Sequence, residues 1–212
     1  MLAHARRFES TNRVDGLVEF LRRWEGKDEQ TAGELRFAVS EVGNINRHGS
    51  PETNESLLLT RWHPSFADSI EAGVRELVLR LVTEWGCVTY SSCDGHRSIA
   101  GVPARMRHVR LISTTRAAHL RLQGMLAELV ELTNADVEDH GVLLTWKHST
   151  VMSDDGLEAP GLDLIFEPQS ADEQRYWELL GPIYQTCLRH IGEVSGASRR
   201  EGGSEPAKAP GL

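Results

Sequence analysis

The strongest structural signal in this chain is a run of apolar residues at helical spacing between residues 70 and 85. These side chains form one continuous apolar face: Ile70, Val74, Leu77, Val78, Leu81, Val82 and Trp85. Gly86 ends the predicted helix, and the β-branched and aromatic residues of segment 87–92 predict a strand directly after it. A helix followed at once by a strand requires a mixed fold in which helices pack on a sheet.

The same order of elements repeats further along the chain. An alternating segment predicts a second strand, hydroxyl N-caps open a helix with a leucine-rich stripe, and two strands and a final helix follow. These elements are expected at 107–113, 113–132, 141–151, 161–167 and 170–191. Two helix-strand-strand units and a C-terminal helix predict an α+β fold. We expect a four-stranded antiparallel sheet with helices packed mainly on one face.

The flanking segments differ in composition from this central unit. Apolar spacing predicts a short helix over 14–24, and a capping box at Thr31 predicts a second with Leu35, Val39 and Val42 on one stripe. The C-terminal residues are mainly Gly, Ser, Ala and Pro with scattered charge. We therefore expect an N-terminal helical segment with its loop at 1–60, a main α+β domain at 61–194 and a disordered tail at 195–212.

Alternation assigns the strand residues to two faces of the sheet. One face is apolar and should meet the helices: Val109, Leu111, Val142, Leu144, Trp146, Leu162, Leu164 and Phe166. The other combines titratable and apolar groups: His108, Arg110, Leu143, Thr145, Lys147, Asp163, Ile165 and Glu167. This second face is either an ordinary solvated face or a functional surface.

The charge of the chain limits the classes of molecule that it is expected to bind. Acidic residues outnumber Lys and Arg by 31 to 23, which gives a net charge of −8 and disfavours general binding to DNA. Segment 95–127 nevertheless contains six Arg and no acid. Such a segment suits an anionic ligand, or it pairs with acids elsewhere in the fold.

The chain shows no apolar run of the roughly 20 residues that a membrane span needs. Its three cysteines and the lack of a signal-peptide core predict a cytoplasmic protein with reduced thiols.

The residues most able to do chemistry are concentrated in segment 89–96. It holds a thiol, hydroxyls, a carboxylate and an imidazole, and Gly95 permits a tight turn that brings Cys93 near His96. In one interpretation, Cys93 and His96 are ligands of zinc or iron. His108 is then the best further ligand, and the alternatives are Cys87, His148 and Asp163.

In the other interpretation, Cys93 is a nucleophile that His96 or the nearby arginines keep as a thiolate. In both, Asp94 or Asp163 orients an imidazole or acts as a base. The substrate-binding residues are then expected to be Arg97, Arg107, Arg110, Thr89 and Ser92.

The motif Thr-x-Ser-Ser-Cys-x-Gly at 89–95 resembles the Ser-Ser-Cys-x-Gly signature of the wybutosine-synthesising tRNA methyltransferase family. Ser92, Cys93 and Gly95 match that signature, and His96 stands where the family has Arg. The resemblance implies an S-adenosylmethionine-dependent α+β protein that acts on modified guanosine in tRNA.

Three functional hypotheses follow from the sequence. The first is a small cytoplasmic enzyme that acts on an anionic small molecule or modified nucleotide, assisted by a metal at the Cys-x-x-His turn. The second is a non-catalytic ligand- or protein-binding module with an Arg-rich docking surface. The third is an S-adenosylmethionine-dependent RNA methyltransferase-like protein.

Overall fold

A computed structural model describes residues 10–27, 37–46, 48–50, 58–99, 101–154 and 156–201, of which Ser10 and 195–201 are described as backbone only. The strands and α-helices in chain order are β1 (Ser10–Arg13), α1 (Leu17–Gly26), β2 (Ala38–Val39), β3 (Ile45–Asn46), α2 (Ala72–Glu84), β4 (Val88–Cys93), β5 (His108–Ile112), α3 (Arg116–Ala135), β6 (Val142–Met152), β7 (Glu158–Pro168) and α4 (Glu173–Glu201), and a short 3-10 helix spans Ala67–Ser69. The fold is α+β, as the repeated order of elements predicts.

The main sheet has five strands in the order β1-β6-β7-β5-β4. The four predicted strands pair antiparallel to one another. The prediction of a purely four-stranded antiparallel sheet is wrong in one respect, because β1 adds a fifth strand parallel to β6. The β1 sequence is polar and shows no alternation, so its pairing with β6 depends on backbone groups. The Asn12 side chain donates to the hydroxyl of Tyr90, which lies in β4, at 3.0 Å.

A second, smaller sheet pairs β2 with β3. Val39 lies in β2 and Val42 in the turn after it, so the predicted stripe of a second N-terminal helix is not formed at these two residues. Residues 31–36, where that helix was expected to begin, lie outside the described residues.

Alternation assigned the strand faces correctly. Val109, Leu111, Leu144, Leu162, Leu164 and Phe166 are fully buried. Helices α2, α3 and α4 contact the sheet, and their apolar faces join the same core. The other sheet face, with His108, Arg110 and Asp163, therefore lies on the side of the sheet opposite these helices.

The N-terminal segment packs on the same core. Leu17, Phe20 and Trp24 of α1 are buried, and the Trp24 ring lies 6.0 Å from that of Phe66. Helix α4 continues to Glu201, so the predicted tail is helical as far as that residue, and 202–212 lie outside the described residues. Within the described part of the chain, no helix is both long and apolar enough to cross a membrane.

Candidate functional site

A cavity of about 390 Å³ lies over the mixed face of the sheet. Its polar side includes Cys93, Arg110 and Asp163 from three adjacent strands. Apolar side chains form much of the remainder, including Leu58, Leu59, Phe66, Ile70 and Ile165. Volumes of this size are typical of pockets that bind small molecules.

The strand register arranges the polar side of the cavity in two rows. Cys93 pairs with His108, and His108 pairs with Ile165. Two residues further along, Ser91 pairs with Arg110, and Arg110 pairs with Asp163. Because side chains alternate along a strand, both rows face the same way, and they share one cavity.

At the end of the first row lies a buried group of three potential metal ligands. Glu71, Cys93 and His96 each offer one ligand atom, and these atoms lie within 4.8 Å of one another. His96 Nε2 lies 3.3 Å from Glu71 Oε1. This nitrogen is buried, and no described residue forms a well-aligned hydrogen bond with it. A group of this kind could hold a metal ion.

Three different elements supply these side chains. Glu71 directly precedes the first turn of α2, and Cys93 is the last residue of β4. His96 follows the turn at Gly95, whose φ is +91°, and its backbone pairs with Arg105. The left-handed conformation at Gly95 lets the chain reverse, so the imidazole returns to the thiol.

Asp94 and Arg107 fix the turn against α2 and do not line the cavity. The Asp94 carboxylate accepts a hydrogen bond from Gly73 N at 3.0 Å, and Asp94 N donates to Glu71 Oε2 at 2.5 Å. Arg107 donates from Nε to the Asp94 carbonyl at 2.9 Å and forms an ion pair with its carboxylate. Asp94 and Arg107, predicted as a catalytic and a substrate-binding residue, thus hold the turn against α2 in this structure.

The electrostatics of the group favour a cation. The Cys93 sulfur and then the Glu71 carboxylate raise the pKa of His96 to about 10, against the opposing effect of burial. Two electron-rich atoms thus stabilise positive charge at the imidazole. A metal ion bound to all three groups would use the same attraction in place of the proton.

His108 lies in the cavity but is not a member of the three-ligand group. Its Nδ1 lies 3.0 Å from the carbonyl oxygen of Met106. Glu71, which the sequence interpretation did not select, takes the place predicted for His108. Glu71 and Cys93 belong to separate elements, and no spacing motif joins them. The only sequence signal for Glu71 was its position at the start of the apolar face of α2.

The other three predicted ligands are not members of the three-ligand group. Cys87 is buried beside a second, small cavity, and burial raises the pKa of its thiol to about 12. His148 packs against His119 and Trp146, with ring centroids 5.7 and 5.2 Å away. Asp163 is buried in the cavity and accepts a hydrogen bond from Ser149 Oγ at 2.8 Å.

The predicted substrate-binding residues divide into two sets. Thr89, Ser92 and Arg110 line the cavity. Arg97 does not, because its guanidinium stacks 5.3 Å from the Trp177 ring and donates to Gln174 at 3.2 Å. Of the three arginines selected from the sequence, only Arg110 therefore lies in the cavity.

Comparison with protein-family models, with curated proteins and with solved structures found no match to this chain. The resemblance of segment 89–95 to the wybutosine-synthesising tRNA methyltransferases therefore stays a prediction. Any functional conclusion depends on the residues of the cavity.

Proposed function

We propose that this protein is a zinc-dependent hydrolytic enzyme that acts on a small anionic molecule in the cavity. The observation that carries the proposal is the buried group of Glu71, Cys93 and His96 at a cavity of about 390 Å³. Glu71 and Cys93 both line that cavity, so a ligand within it reaches the group directly.

The set of donor atoms favours zinc over iron. Thiolate, imidazole and carboxylate are all common zinc ligands, whereas the usual non-haem iron triad has two imidazoles and one carboxylate. Three protein ligands leave a fourth zinc position for water, which is the arrangement of catalytic zinc sites. A zinc ion held by these three residues would supply a water activated for attack at neutral pH.

His108 is suited to accept the proton of that water. Its Nδ1 faces the Met106 carbonyl, which only accepts hydrogen bonds, so Nδ1 holds the proton and Nε2 has the free lone pair. Burial and then the charge of Arg110 lower the pKa of His108, which favours the neutral ring. His108 also lies opposite Cys93 in the strand register.

A cysteine nucleophile is the second candidate. The raised pKa of His96 beside Cys93 also suits a thiolate–imidazolium pair, with Glu71 orienting the ring. The two candidates differ in their need for metal. Alkylation of Cys93 that is equally fast with and without zinc would favour the nucleophile.

The test is turnover of a defined mixture of phosphate monoesters and of small carboxylates that also carry an ester or amide bond, followed by mass spectrometry. We expect the zinc-loaded protein to consume one component and Cys93→Ala to lose both zinc and activity. His108→Gln should keep zinc and slow turnover about a hundredfold or more, the usual size of general-base catalysis. Cys87→Ala, a buried thiol outside this cavity, is the matched control and should resemble wild type. Zinc-loaded protein that binds anions and converts none would favour the binding-module hypothesis.

A further inference from the structure

Arg110 is a cation in the second row of the cavity with unused hydrogen-bonding capacity. Among the described residues its one ion-pair partner is Asp163, whose Oδ2 lies 3.5 Å from Arg110 Nε. That Nε is buried and makes no hydrogen bond with any described residue. A guanidinium has five N–H donors in a planar fork, so this single contact leaves most of them available to a ligand.

The position of Arg110 relative to the three-ligand group limits the length of a molecule that contacts both. Arg110 is the diagonal neighbour of Cys93 across the β4–β5 pair, because Cys93 pairs with His108. The Cα atoms of diagonal neighbours in an antiparallel pair are about 7–8 Å apart, so both side chains are within reach of one small molecule. A small molecule can therefore place one end at Arg110 and the other at the ligand group.

The charges of Asp163 and Arg110 together determine which kind of anion the cavity binds best. The Asp163 carboxylate is 5% exposed and lies against Arg110, so it offsets much of the guanidinium charge and repels a dianion. A monoanion such as a carboxylate is thus favoured over a phosphate monoester. The apolar side chains around the cavity, including Phe66, Ile70 and Ile165, suit a hydrocarbon body.

We propose that Arg110 is the anchor of a carboxylate subsite. The substrate is then a monocarboxylate with an apolar body, whose other end carries the ester or amide bond to be hydrolysed and reaches Glu71, Cys93 and His96. This inference names the substrate class of the proposed function and rests on that function for the reacting end. The carboxylate subsite itself depends only on Arg110 and the cavity.

The first experiment uses a probe with a zinc-binding end and a carboxylate end. 4-Mercaptobutyrate and its neutral counterpart 4-mercapto-1-butanol are titrated by calorimetry into the zinc-loaded protein. We expect the acid to bind about tenfold tighter or more, as a charge-assisted hydrogen bond allows. 3-Mercaptopropylphosphonate should bind less tightly than the acid because of Asp163. Equal binding of acid and alcohol, or tighter binding of the phosphonate, would overturn the assignment.

Variants assign the preference to one side chain. Arg110→Met should abolish the preference for the acid, and Arg116→Met, at an exposed arginine of the same acid-free segment, should retain it. Because Arg110→Met removes a positive charge beside the buried Asp163 carboxylate, the double variant Arg110→Gln/Asp163→Asn removes both charges together. A folded double variant that keeps the preference would also overturn the assignment.

A third titration separates this inference from the proposed function. 4-Phenylbutyrate has no zinc-binding group, so it is titrated into the metal-free protein and the Arg110 variants. Binding that depends on Arg110 in a protein that takes up no zinc supports the subsite and contradicts the proposed function. A zinc-binding protein in which neither acid depends on Arg110 supports the function and overturns the subsite.

Discussion

At the residue scale, Glu71 extends a Cys-x-x-His turn to a group of three potential metal ligands. Cys93 and His96 were selected from the sequence because glycine-containing turns bring such residues together. Glu71 comes from the start of a helix whose packing against the turn no local pattern encodes. A contact between segments distant in sequence is a tertiary property, and a single sequence does not reveal it.

The charge of Glu71 should therefore matter for metal affinity. Glu71→Gln keeps the size of the side chain and an acceptor oxygen for the Asp94 N–H, but it removes the negative charge. We expect zinc affinity to fall at least about tenfold, the usual cost of losing a close charged partner. Competition with a chromophoric chelator measures this change. Glu76→Gln, on the exposed side of α2, is the control, and equal affinities in the two variants would exclude Glu71 as a ligand.

At the element scale, the site depends on the contact between the N-terminus of α2 and the turn after β4. A Cβ at Gly73 would overlap the Asp94 carboxylate, which caps the first turn of the helix through Gly73 N. We expect Gly73→Ala to lower the free energy of unfolding by about 1–3 kcal/mol, as for other overpacked sites, and to weaken zinc binding.

The control for this variant is another helical glycine. A Cβ at Gly124 in α3 meets nothing within 4 Å, so Gly124→Ala should raise the free energy of unfolding by about 0.5–1 kcal/mol. Urea unfolding of both variants measures the difference. Equal stability of Gly73→Ala and Gly124→Ala would contradict the packing of Asp94 on α2.

The sheet shows what periodicity can and cannot predict. Strands β4 to β7 were predicted within a few residues because alternation of apolar and polar side chains follows from burial of one face. Strand β1 has no such pattern, since its pairing with β6 uses backbone groups and its Asn12 side chain bonds to Tyr90 of β4. Hydrophobic periodicity therefore does not predict polar edge strands such as β1.

Asn12 offers a test of that strand. Asn12→Ala removes the hydrogen bond to the buried Tyr90 hydroxyl and should lower the free energy of unfolding by about 0.5–1.5 kcal/mol. Thr11→Ala, at an exposed position of the same strand, should change it by less than about 0.5 kcal/mol. Chemical denaturation measures both. An unchanged free energy of unfolding in Asn12→Ala would contradict the contact between Asn12 of β1 and Tyr90 of β4.

At the scale of the whole molecule, α1 and the central unit share one core. Trp24 contacts Phe66 edge-on, and Trp62 Nε1 donates to the Trp24 carbonyl at 3.0 Å. The boundary predicted between residues 60 and 61 rests on a change in amino-acid composition along the chain. Composition alone does not show which segments pack together.

Trp24 is therefore expected to stabilise the entire fold. Trp24→Ala should lower the free energy of unfolding by about 3–5 kcal/mol, the usual cost of removing a large buried aromatic side chain. The change should appear equally by circular dichroism and by tryptophan fluorescence. Val18→Ala, at a 43% exposed position of the same helix, is the control. A separate early transition that alone responds to Trp24→Ala would indicate an independent N-terminal unit.

The central claim is that Glu71, Cys93 and His96 bind a metal ion, and elemental analysis of the purified, untagged protein tests it most directly. We predict near-stoichiometric zinc in wild type and in the controls Cys87→Ala and His190→Ala. Cys93→Ala and His96→Ala should lose the zinc while their circular dichroism spectra stay unchanged. Wild-type protein without metal after expression in zinc-supplemented medium, or equal zinc in all five proteins, would contradict the account.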